Sequence, residues 1–263
     1  MKLRLGSLFR FCPPLLPFRY ARHRLFPRDT YAADYEDLAA WIMLGGVKSF
    51  VDVGSNDGIS GSNTFLFALR GAAGLCFEPD PVNFSQLAGM YRWHRRIRCV
   101  AEGMSDAAGQ VTMRCDGLLS TITSTEDAGL NSLLAGWRNP GASEVKVEVN
   151  TLAHWFSCQP AFVGCDVLSI DVEGHELNVL RGIDWTATPK PARCLIVETH
   201  ARGAAGSWSH RDLDAITELL ATHDYQQVAK SANNTFWLHA DEMVACRFAA
   251  GKALLPRFQW TFP

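Results

Sequence analysis

The sequence predicts an α/β protein with a doubly wound, mostly parallel β-sheet that ends in an antiparallel hairpin. Short apolar runs are each followed by acidic or glycine-rich stretches, which is typical of buried parallel strands that end at one edge of a sheet. Helix-like segments lie between these runs, and such alternation forms parallel sheets with right-handed crossovers. With 263 residues, of which 48% are hydrophobic, the chain is long enough for one domain with a large core.

The first predicted strand, Phe50 to Val53, runs into a glycine-rich turn that ends at Asn63. Glycine lets the backbone approach a ligand closely, and the first strand-to-helix turn of an open α/β sheet lies at its ligand-binding crevice. The spacing G-S-N-D-G-I-S-G differs from the G-x-G-x-x-G pattern of dinucleotide sites. Carboxylates in this turn would repel a phosphate but suit the cationic sulfonium of S-adenosylmethionine. The residues expected to bind this cofactor are Asp52, Gly54, Ser55, Asn56, Asp57 and Gly58.

The second predicted strand, Gly74 to Phe77, ends in Glu78 and Pro79. A carboxylate at this strand end can accept hydrogen bonds from both vicinal hydroxyls of a ribose. Pro79 stops the strand, and Pro81 suits the first turn of a helix predicted from Val82 to Arg92. We therefore expect Glu78 and Pro79 to bind the ribose, although the stretch by itself would also fit a solvated Glu-Pro-Asp turn.

Three further apolar runs also end in polar groups, and parallel strands place such groups at the same edge of the sheet. The cleft is therefore expected to be lined by the ends of successive strands. The runs, with the polar residues that follow them, are Ile97–Ala101 with Glu102, Ser105 and Asp106, Val167–Ile170 with Asp171, Glu173, His175 and Glu176, and Cys194–Val197 with Glu198, Thr199 and His200.

Helices and a terminal hairpin complete the predicted alternation. An approach helix from Asp34 to Leu44 is closed by two glycines, and further helices are expected near residues 63–70, 175–181 and 210–222. The last two strand-like segments, Tyr225 to Ala229 and Thr235 to His239, flank a polar turn, which predicts a hairpin.

An insertion separates the third and fourth core strands. Val111 to Arg114 and Val145 to Val149 alternate like strands, and the residues between them are rich in serine, threonine, glycine and asparagine. Long loops above a cleft often select the substrate. We expect this acceptor-side loop region, residues 116–144, to contact the acceptor. We expect an apolar or sugar-stacking face from one of three tryptophans, although each taken alone is more often a packing residue: Trp137, Trp155 and Trp208.

The motifs VDVGSNDG, FEPDP, GMSD and SIDVEGHELNVLRG resemble the methyltransferase domain of the FkbM family over roughly Lys48 to Leu238. The resemblance implies an S-adenosylmethionine-dependent enzyme with a seven-stranded, Rossmann-like methyltransferase sheet. It also implies that Gly54 and its neighbours wrap the methionine portion of the cofactor and that Glu78 holds the ribose. Ser105 and Asp106 would lie at the adenine edge, and Asp171 would lie near the transferred methyl group.

Methyl transfer to a hydroxyl requires alignment of the nucleophile and removal of its proton as the new bond forms. The candidate catalytic residues are Asp171, His175, Glu198 and His200. The ordinary pKa of histidine lies near neutral pH, which favours His175 or His200 as the base. The alternative is that His175 only opens the helix to Arg181, with Glu176 placed favourably against the helix dipole.

The same cluster of carboxylates and imidazoles admits a divalent cation, which some O-methyltransferases use to lower the pKa of the acceptor. No zinc-type spacing of cysteine or histidine occurs in the sequence. We therefore expect no required metal.

Charge is distributed unevenly along the chain. The formal net charge is −2, yet the first thirty residues are strongly basic and interleave arginines with leucine and phenylalanine. The acidic remainder argues against a nucleic-acid partner.

We expect residues 1–33 to form a basic and apolar N-terminal arm, 34–245 the methyltransferase domain, and 246–263 a C-terminal extension. The apolar runs are too short for a transmembrane segment, and weak peripheral contact of residues 1–30 with a membrane is the remaining alternative to packing on the domain.

The eight cysteines form no CxxC pair, and several fall within predicted strands. This usage favours reduced thiols in a cytoplasmic protein over a disulfide framework.

The sequence therefore predicts a cytoplasmic S-adenosylmethionine-dependent methyltransferase. Its action on a hydroxyl oxygen of a sugar, glycan or related metabolite is what the family resemblance implies. A catalytically silent cofactor-binding or partner-binding domain with the same fold is the main alternative, and the glycine spacing speaks against a nicotinamide enzyme. The oligomeric state has no signal in the sequence.

Overall fold

The computed structural model describes residues 16–115, 121–122, 143–199, 209–243, 245–256 and 258–261. The strands formed within these ranges are β1 Ser49–Val53, β2 Ala73–Phe77, β3 Ile97–Val100, β4 Gly103–Met104, β5 Gly109–Cys115, β6 Thr121–Ile122, β7 Ser143–Asn150, β8 Cys165–Ile170, β9 Ala192–Glu198, β10 Tyr225–Lys230, β11 Asn234–His239 and β12 Gln259–Trp260. The α-helices are α1 Leu16–Leu25, α2 Glu36–Leu44, α3 Phe65–Leu69, α4 Pro81–Tyr91, α5 Leu152–Cys158, α6 Glu176–Arg181, α7 Ser209–Thr222 and α8 Ala245–Leu254. Short 3₁₀ turns cover Pro160–Phe162 and Ala240–Glu242.

The main sheet has the strand order β12-β10-β11-β9-β8-β1-β2-β3. Strands β3, β2, β1, β8 and β9 are parallel, whereas β11, β10 and β12 continue the sheet in antiparallel pairs. The chain moves outward in one direction from β1 to β3 and in the other from β8 to β9. The switch point between β1 and β8 is where open α/β sheets bind their ligands. The predicted doubly wound α/β fold is confirmed.

Both faces of the main sheet are buried, as the apolar runs predict. Successive strand residues point to opposite faces, so Phe50 packs in one core cluster with Phe67, while Val51 packs in the other with Leu168. All four side chains are completely buried. The two clusters fix the register of β1, because a slip of one residue would exchange its two faces.

The helices begin and end where local chemistry dictates. Asp80 caps α4, since its carboxylate accepts the N–H groups of Val82 and Asn83, at 2.8 and 3.3 Å, and Pro81 occupies the first turn. Helix α2 ends at Gly45, which has a φ of 67° and donates its N–H to the carbonyl oxygen of Ile42. These two boundaries lie within a few residues of those predicted.

The C-terminal hairpin is confirmed, with Tyr225 opposite His239 and a register shift between Gln227 and Ala229. The sheet has an eighth strand in place of the expected seven, because β12 pairs with β10 through Ala229 and Lys230. A two-residue strand has no periodicity that a sequence pattern could reveal. The alternating segments of the insertion form a second sheet with the order β4-β7-β5-β6.

The basic arm contains a helix that the sequence analysis did not predict. Helix α1 packs on α4, where an added Cβ at Gly89 would lie 2.5 Å from Cδ1 of Leu16. Packing of this part of the arm on the domain agrees with the alternative to membrane contact. None of the described helices combines the length and apolar character needed to cross a lipid bilayer.

Candidate cofactor and catalytic site

The carboxyl ends of four parallel strands meet in one row. Val53 of β1 pairs with Phe77 of β2 and with Ile170 of β8, and Ile170 pairs with Val197 of β9. The residues one position further along these strands are Gly54, Glu78, Asp171 and Glu198. The sheet therefore brings four of the predicted site residues to neighbouring places beside the switch point.

Gly54 lies directly against the main chain of Asp171. Its φ is 86°, and an added Cβ would lie 1.8 Å from the carbonyl oxygen of Asp171. The N–H groups of Gly54 and Ser55 both donate to the carbonyl of Phe77 at 3.0 Å. Glycine is required here because the backbone of β8 fills the space beside its Cα. This corrects the sequence argument, which reserved that space for a ligand.

Asp52 is a buried carboxylate that joins β1 to the start of α3. Its Oδ2 accepts a hydrogen bond of 2.7 Å from the hydroxyl of Thr64, and Ser55 donates its hydroxyl to the main-chain oxygen of Asp52. Burial raises the pKa of Asp52 to about 6, the hydrogen bonds from Thr64 and Ser55 oppose the rise, and the charge of Asp171 adds to it. Thr64 had no sequence signal, since it meets Asp52 only when the turn folds back.

Glu78 clamps the glycine turn. Its Oε2 accepts the N–H of Asn56 at 2.7 Å, and its Oε1 accepts the N–H of Asp80 at 2.8 Å. Burial raises the pKa of Glu78 to about 7 against the effect of these two hydrogen bonds, with help from the charges of Asp80 and Asp52. Pro79 follows with its ring beside Gly103 of β4, where an added Cβ would lie 3.6 Å from that ring. Each carboxylate oxygen retains a lone pair for a ribose hydroxyl.

Asp57 and Gly58 serve the protein's own packing. The carboxylate of Asp57 accepts the N–H of Ile59, the N–H and hydroxyl of Ser60, and a contact of 3.2 Å from Arg19. Burial alone would raise the pKa of Asp57, but these hydrogen bonds and the Arg19 charge outweigh it and lower the pKa. An added Cβ at Gly58 would lie 2.5 Å from Met90 of α4. We therefore assign both residues to shaping the turn.

Ser105 and His175 form a buried pair between β4 and α6. The hydroxyl of Ser105 lies 2.9 Å from Nε2 of His175 and 3.0 Å from a carboxylate oxygen of Asp106. Burial lowers the pKa of His175, and the charge of Asp106 opposes this. Gly182 lies directly against the main chain of Ser105, because an added Cβ there would lie 2.1 Å from the carbonyl oxygen of Ser105. His175 thus lies with the residues expected at the adenine edge.

Asp171 and Glu198 approach each other with Glu173. One carboxylate oxygen of each of the three lies within 4.8 Å of the others. The pKa of Glu198 is raised well above its usual value by burial first and then by the charges of Asp171, Glu173 and Glu176. Three carboxylates at this spacing can hold a shared proton or a divalent cation. Acidic groups also cluster without an ion, so the expectation of no required metal stays a prediction.

Glu176 holds the turn that leads from β8 into α6. Its Oε1 accepts the N–H groups of Val172 and Gly174 at 3.0 and 3.1 Å. Glu173 and Gly174 have positive φ values of 56° and 104°, and the two hydrogen bonds to Glu176 stabilise the backbone of the turn in this conformation. Burial raises the pKa of Glu176 to about 7, against the backbone hydrogen bonds.

Comparison with known proteins places this geometry in a family. The sequence profile of the FkbM methyltransferase domain matches residues 52–226, which is more than half of the chain. The chain belongs to the FkbM methyltransferase family. It therefore has the methyltransferase fold that its strand order displays. None of the curated proteins compared with this sequence matches it.

Solved structures of methyltransferases are similar to this FkbM chain at low identity. A methyltransferase FkbM from Methylobacillus flagellatus is 17% identical, with a TM-score of 0.47 over 73% of this chain and 44% of that protein. This chain therefore spans less than half of the length of that relative. An O-methyltransferase from Bacillus cereus in complex with SAH is 9% identical, with a TM-score of 0.46 over 84% of this chain and 89% of that one.

Two buried polar atoms near the strand ends of this FkbM domain have no hydrogen-bond partner among the residues that the structure describes. Nδ1 of His175 and Oε2 of Glu198 form no hydrogen bond within the described residues. Buried polar atoms are normally paired. Together with the accepting lone pairs of Glu78, these atoms fit a polar ligand such as a nucleoside cofactor.

Several predicted residues fall outside the described part of the FkbM chain. His200, Trp137, Trp208, most of the 116–144 loop region and residues 1–15 are among them. Trp155 is described, and it packs on Phe77 with ring centroids 5.3 Å apart while its N–H donates to Glu102. Only 7% of Trp155 is exposed, so it is a packing residue.

Proposed function

We propose that this protein is an S-adenosylmethionine-dependent O-methyltransferase that acts on a hydroxyl group of a sugar, glycan or related metabolite. The observation that carries the proposal is the meeting of Glu78 with Asp171 and Glu198 at one edge of a methyltransferase sheet. Family membership supports methyl transfer. The choice of oxygen rests on the proton acceptors beside the strand ends, and the sugar class rests on the family resemblance.

The chain's own residues divide the work of binding. The turn of Gly54, Ser55 and Asn56 receives the methionine portion, and Glu78 accepts hydrogen bonds from the ribose hydroxyls. Ser105 and Asp106 face the adenine, with His175 holding Ser105 in place. When bound, the cofactor supplies an electrophilic methyl group.

The carboxylate pair Asp171 and Glu198 removes the proton from the acceptor hydroxyl in this proposal. Burial and then the charge of Asp171 raise the pKa of Glu198, so the pair shares a proton more readily than an isolated exposed carboxylate. His175 is less suitable as the base, because its Nε2 already contacts Ser105. His200 remains a further candidate that follows the same strand.

Reduced cysteines support a cytoplasmic location in the same proposal. Cys76, Cys99, Cys115, Cys158, Cys165 and Cys194 are free thiols, and Cys76, Cys165 and Cys194 among them are buried. Free thiols are the usual state of cysteine in a reducing compartment.

Calorimetric titration tests the proposal. The purified chain is titrated with S-adenosylmethionine, S-adenosylhomocysteine and NAD, each with and without magnesium. Binding of both sulfur nucleotides and not of NAD is expected, followed by methyl transfer in a screen of sugars and glycans. Binding without turnover of any acceptor would indicate a catalytically silent domain, and binding of NAD would contradict the proposal.

A further inference from the structure

A basic pocket lies between helix α1 and the turn after β1, and none of the strand-end carboxylates is among its lining residues. It has a volume of about 240 Å³, and its walls include Arg19, Arg22, His23, Arg28 and Ser60. A cavity of this size is smaller than the roughly 300–1,000 Å³ of most drug-sized ligand sites. It suits one small charged group with a few adjoining atoms rather than a whole nucleotide.

The positive charge in this pocket is only partly matched by the protein. Arg19 contacts Asp57 at 3.2 Å. Within the described residues, neither Arg22 nor Arg28 has a carboxylate within ion-pair distance of its guanidinium. As far as the described residues go, two of the three guanidinium charges have no carboxylate counterpart and can attract an anion.

Arg19 also presents a donor without a partner. Its side chain is 14% exposed, and its Nη1 is buried without a hydrogen bond in the described part of the chain. Since buried donors are normally paired, this atom indicates a missing acceptor. The planar guanidinium has its donors in a fork that matches the oxygens of a phosphate.

The three arginines act together on one point in the pocket. Burial lowers the pKa of His23 to about 4, and the charges of Arg28, Arg22 and Arg19 add to this effect. The ring of His23 packs edge-on against Tyr31 and Phe65, with centroids 5.2 and 5.6 Å away. The imidazole is therefore neutral at physiological pH and lies in the combined field of the arginines.

We propose that the pocket formed by Arg19, Arg22, His23, Arg28 and Ser60 is a binding site for a phosphomonoester group. A phosphomonoester carries a charge of about −1.5 to −2 at neutral pH, which matches the charges of Arg22 and Arg28, whose guanidinium groups form no ion pair with the described carboxylates. A carboxylate carries half of that charge and fewer acceptor oxygens. The site stands on its own contacts, so it does not depend on methyl transfer.

Calorimetry on the full chain at low ionic strength tests the site, with inorganic phosphate and glucose 6-phosphate as probes and glucose as the blank. Both phosphates should bind, and R22Q and R28Q should each weaken binding at least tenfold. The matched control is R24Q, which removes one charge from the helix that carries Arg22, outside the pocket walls, and should change affinity less than twofold. Equal weakening by all three variants, or no binding of either phosphate or of the vesicles described next, would overturn the site.

Vesicles of phosphatidylcholine with phosphatidic acid separate a lipid source from a soluble one. If the phosphomonoester belongs to a lipid, the vesicles should sediment the protein, and R22Q and inorganic phosphate should each release it. Sedimentation that survives both treatments would overturn the site.

Proton NMR tests the site on the wild-type chain, so the result does not depend on whether a variant folds. Saturating phosphate, or the vesicles if only they bind, should raise the pKa of His23, and an unchanged titration would contradict the proposal.

Discussion

The main-chain N–H of Asn56 donates a hydrogen bond of 2.7 Å to Oε2 of Glu78, which joins the turn after β1 to the end of β2. Asn56 has a φ of 51°, in the left-handed region that asparagine tolerates better than most residues. The other oxygen of Glu78 accepts the N–H of Asp80, which caps α4. One carboxylate thus fixes both the turn and the helix around the proposed ribose position.

Replacement of Glu78 by glutamine should weaken S-adenosylmethionine binding about tenfold, or about 1.4 kcal/mol. The amide keeps one acceptor oxygen and loses the charge that ribose hydroxyls favour. Because burial raises the pKa of Glu78 to about 7, wild-type affinity should rise with pH through that value, and the variant should lose this dependence. Calorimetry at several pH values measures both effects. Glu148→Gln, at an exposed position of β7, is the control, and unchanged affinity in Glu78→Gln would exclude the ribose role.

The cofactor-free protein should be more stable just below neutral pH than above it. The pKa values of Glu78 and Glu176 are raised to about 7, so the folded state binds more protons than the unfolded state between their ordinary and raised values. The free energy of unfolding should therefore fall as pH rises through 7, by on the order of 1–3 kcal/mol. Denaturant titrations at several pH values measure it. Glu176→Gln should flatten the dependence, and a stability that rises with pH across this window would contradict the assignment.

Gly54→Ala should destabilise the protein by about 3 kcal/mol or prevent folding, because its Cβ would lie 1.8 Å from the Asp171 carbonyl. Gly61→Ala is the matched control. Gly61 also has a positive φ, of 69°, but nothing lies within 4 Å of an added Cβ, so only a backbone cost of about 1 kcal/mol is expected. Thermal or denaturant unfolding compares the two. Equal losses would mean that backbone conformation, and not the contact with β8, requires glycine at position 54.

Asp171→Asn and Glu198→Gln should each lower kcat about 100-fold or more with cofactor affinity retained, since general-base catalysis contributes about 10²–10⁴. His175→Ala should reduce kcat less, because His175 contacts Ser105. Single-turnover rates with an identified acceptor measure these effects. The pH profile of His175→Ala should keep the wild-type basic limb. If a His175 or His200 variant shows the largest loss of kcat, histidine and not the carboxylate pair is the base.

Thr64→Val should destabilise the protein by about 1–3 kcal/mol, because the isosteric change leaves a buried carboxylate oxygen of Asp52 without its hydroxyl donor. The pKa of Asp52, already raised by burial to about 6, should rise further. Denaturant unfolding and carboxylate NMR measure the two effects. Thr112→Val, at a half-buried position of β5, serves as the control. If Thr64→Val lowers the free energy of unfolding no more than the control does, the hydrogen bond to Asp52 does not stabilise the turn.

The strand-end motifs predicted both the fold and the place of the site. Apolar runs buried on two faces, together with the polar residues after them, indicated parallel strands and one cleft. Glu78, Asp171 and Glu198 do meet along that edge. Sequence reasoning did not find Thr64 and Arg19, because their partners Asp52 and Asp57 are distant along the chain. The cofactor role expected for Asp57 stays a prediction, and its described contacts are to Arg19, Ile59 and Ser60.

The sequence was enough to predict the α/β alternation, the glycine turn and the residues that reach the sheet edge, because strand periodicity, turn chemistry and capping are local properties. Three contacts depend on the tertiary fold: Gly54 lies against the main chain of Asp171, His175 contacts Ser105, and Arg19 approaches the turn after β1. These contacts join segments far apart in the chain. Their partners are set by the packing of whole elements, which no local pattern encodes.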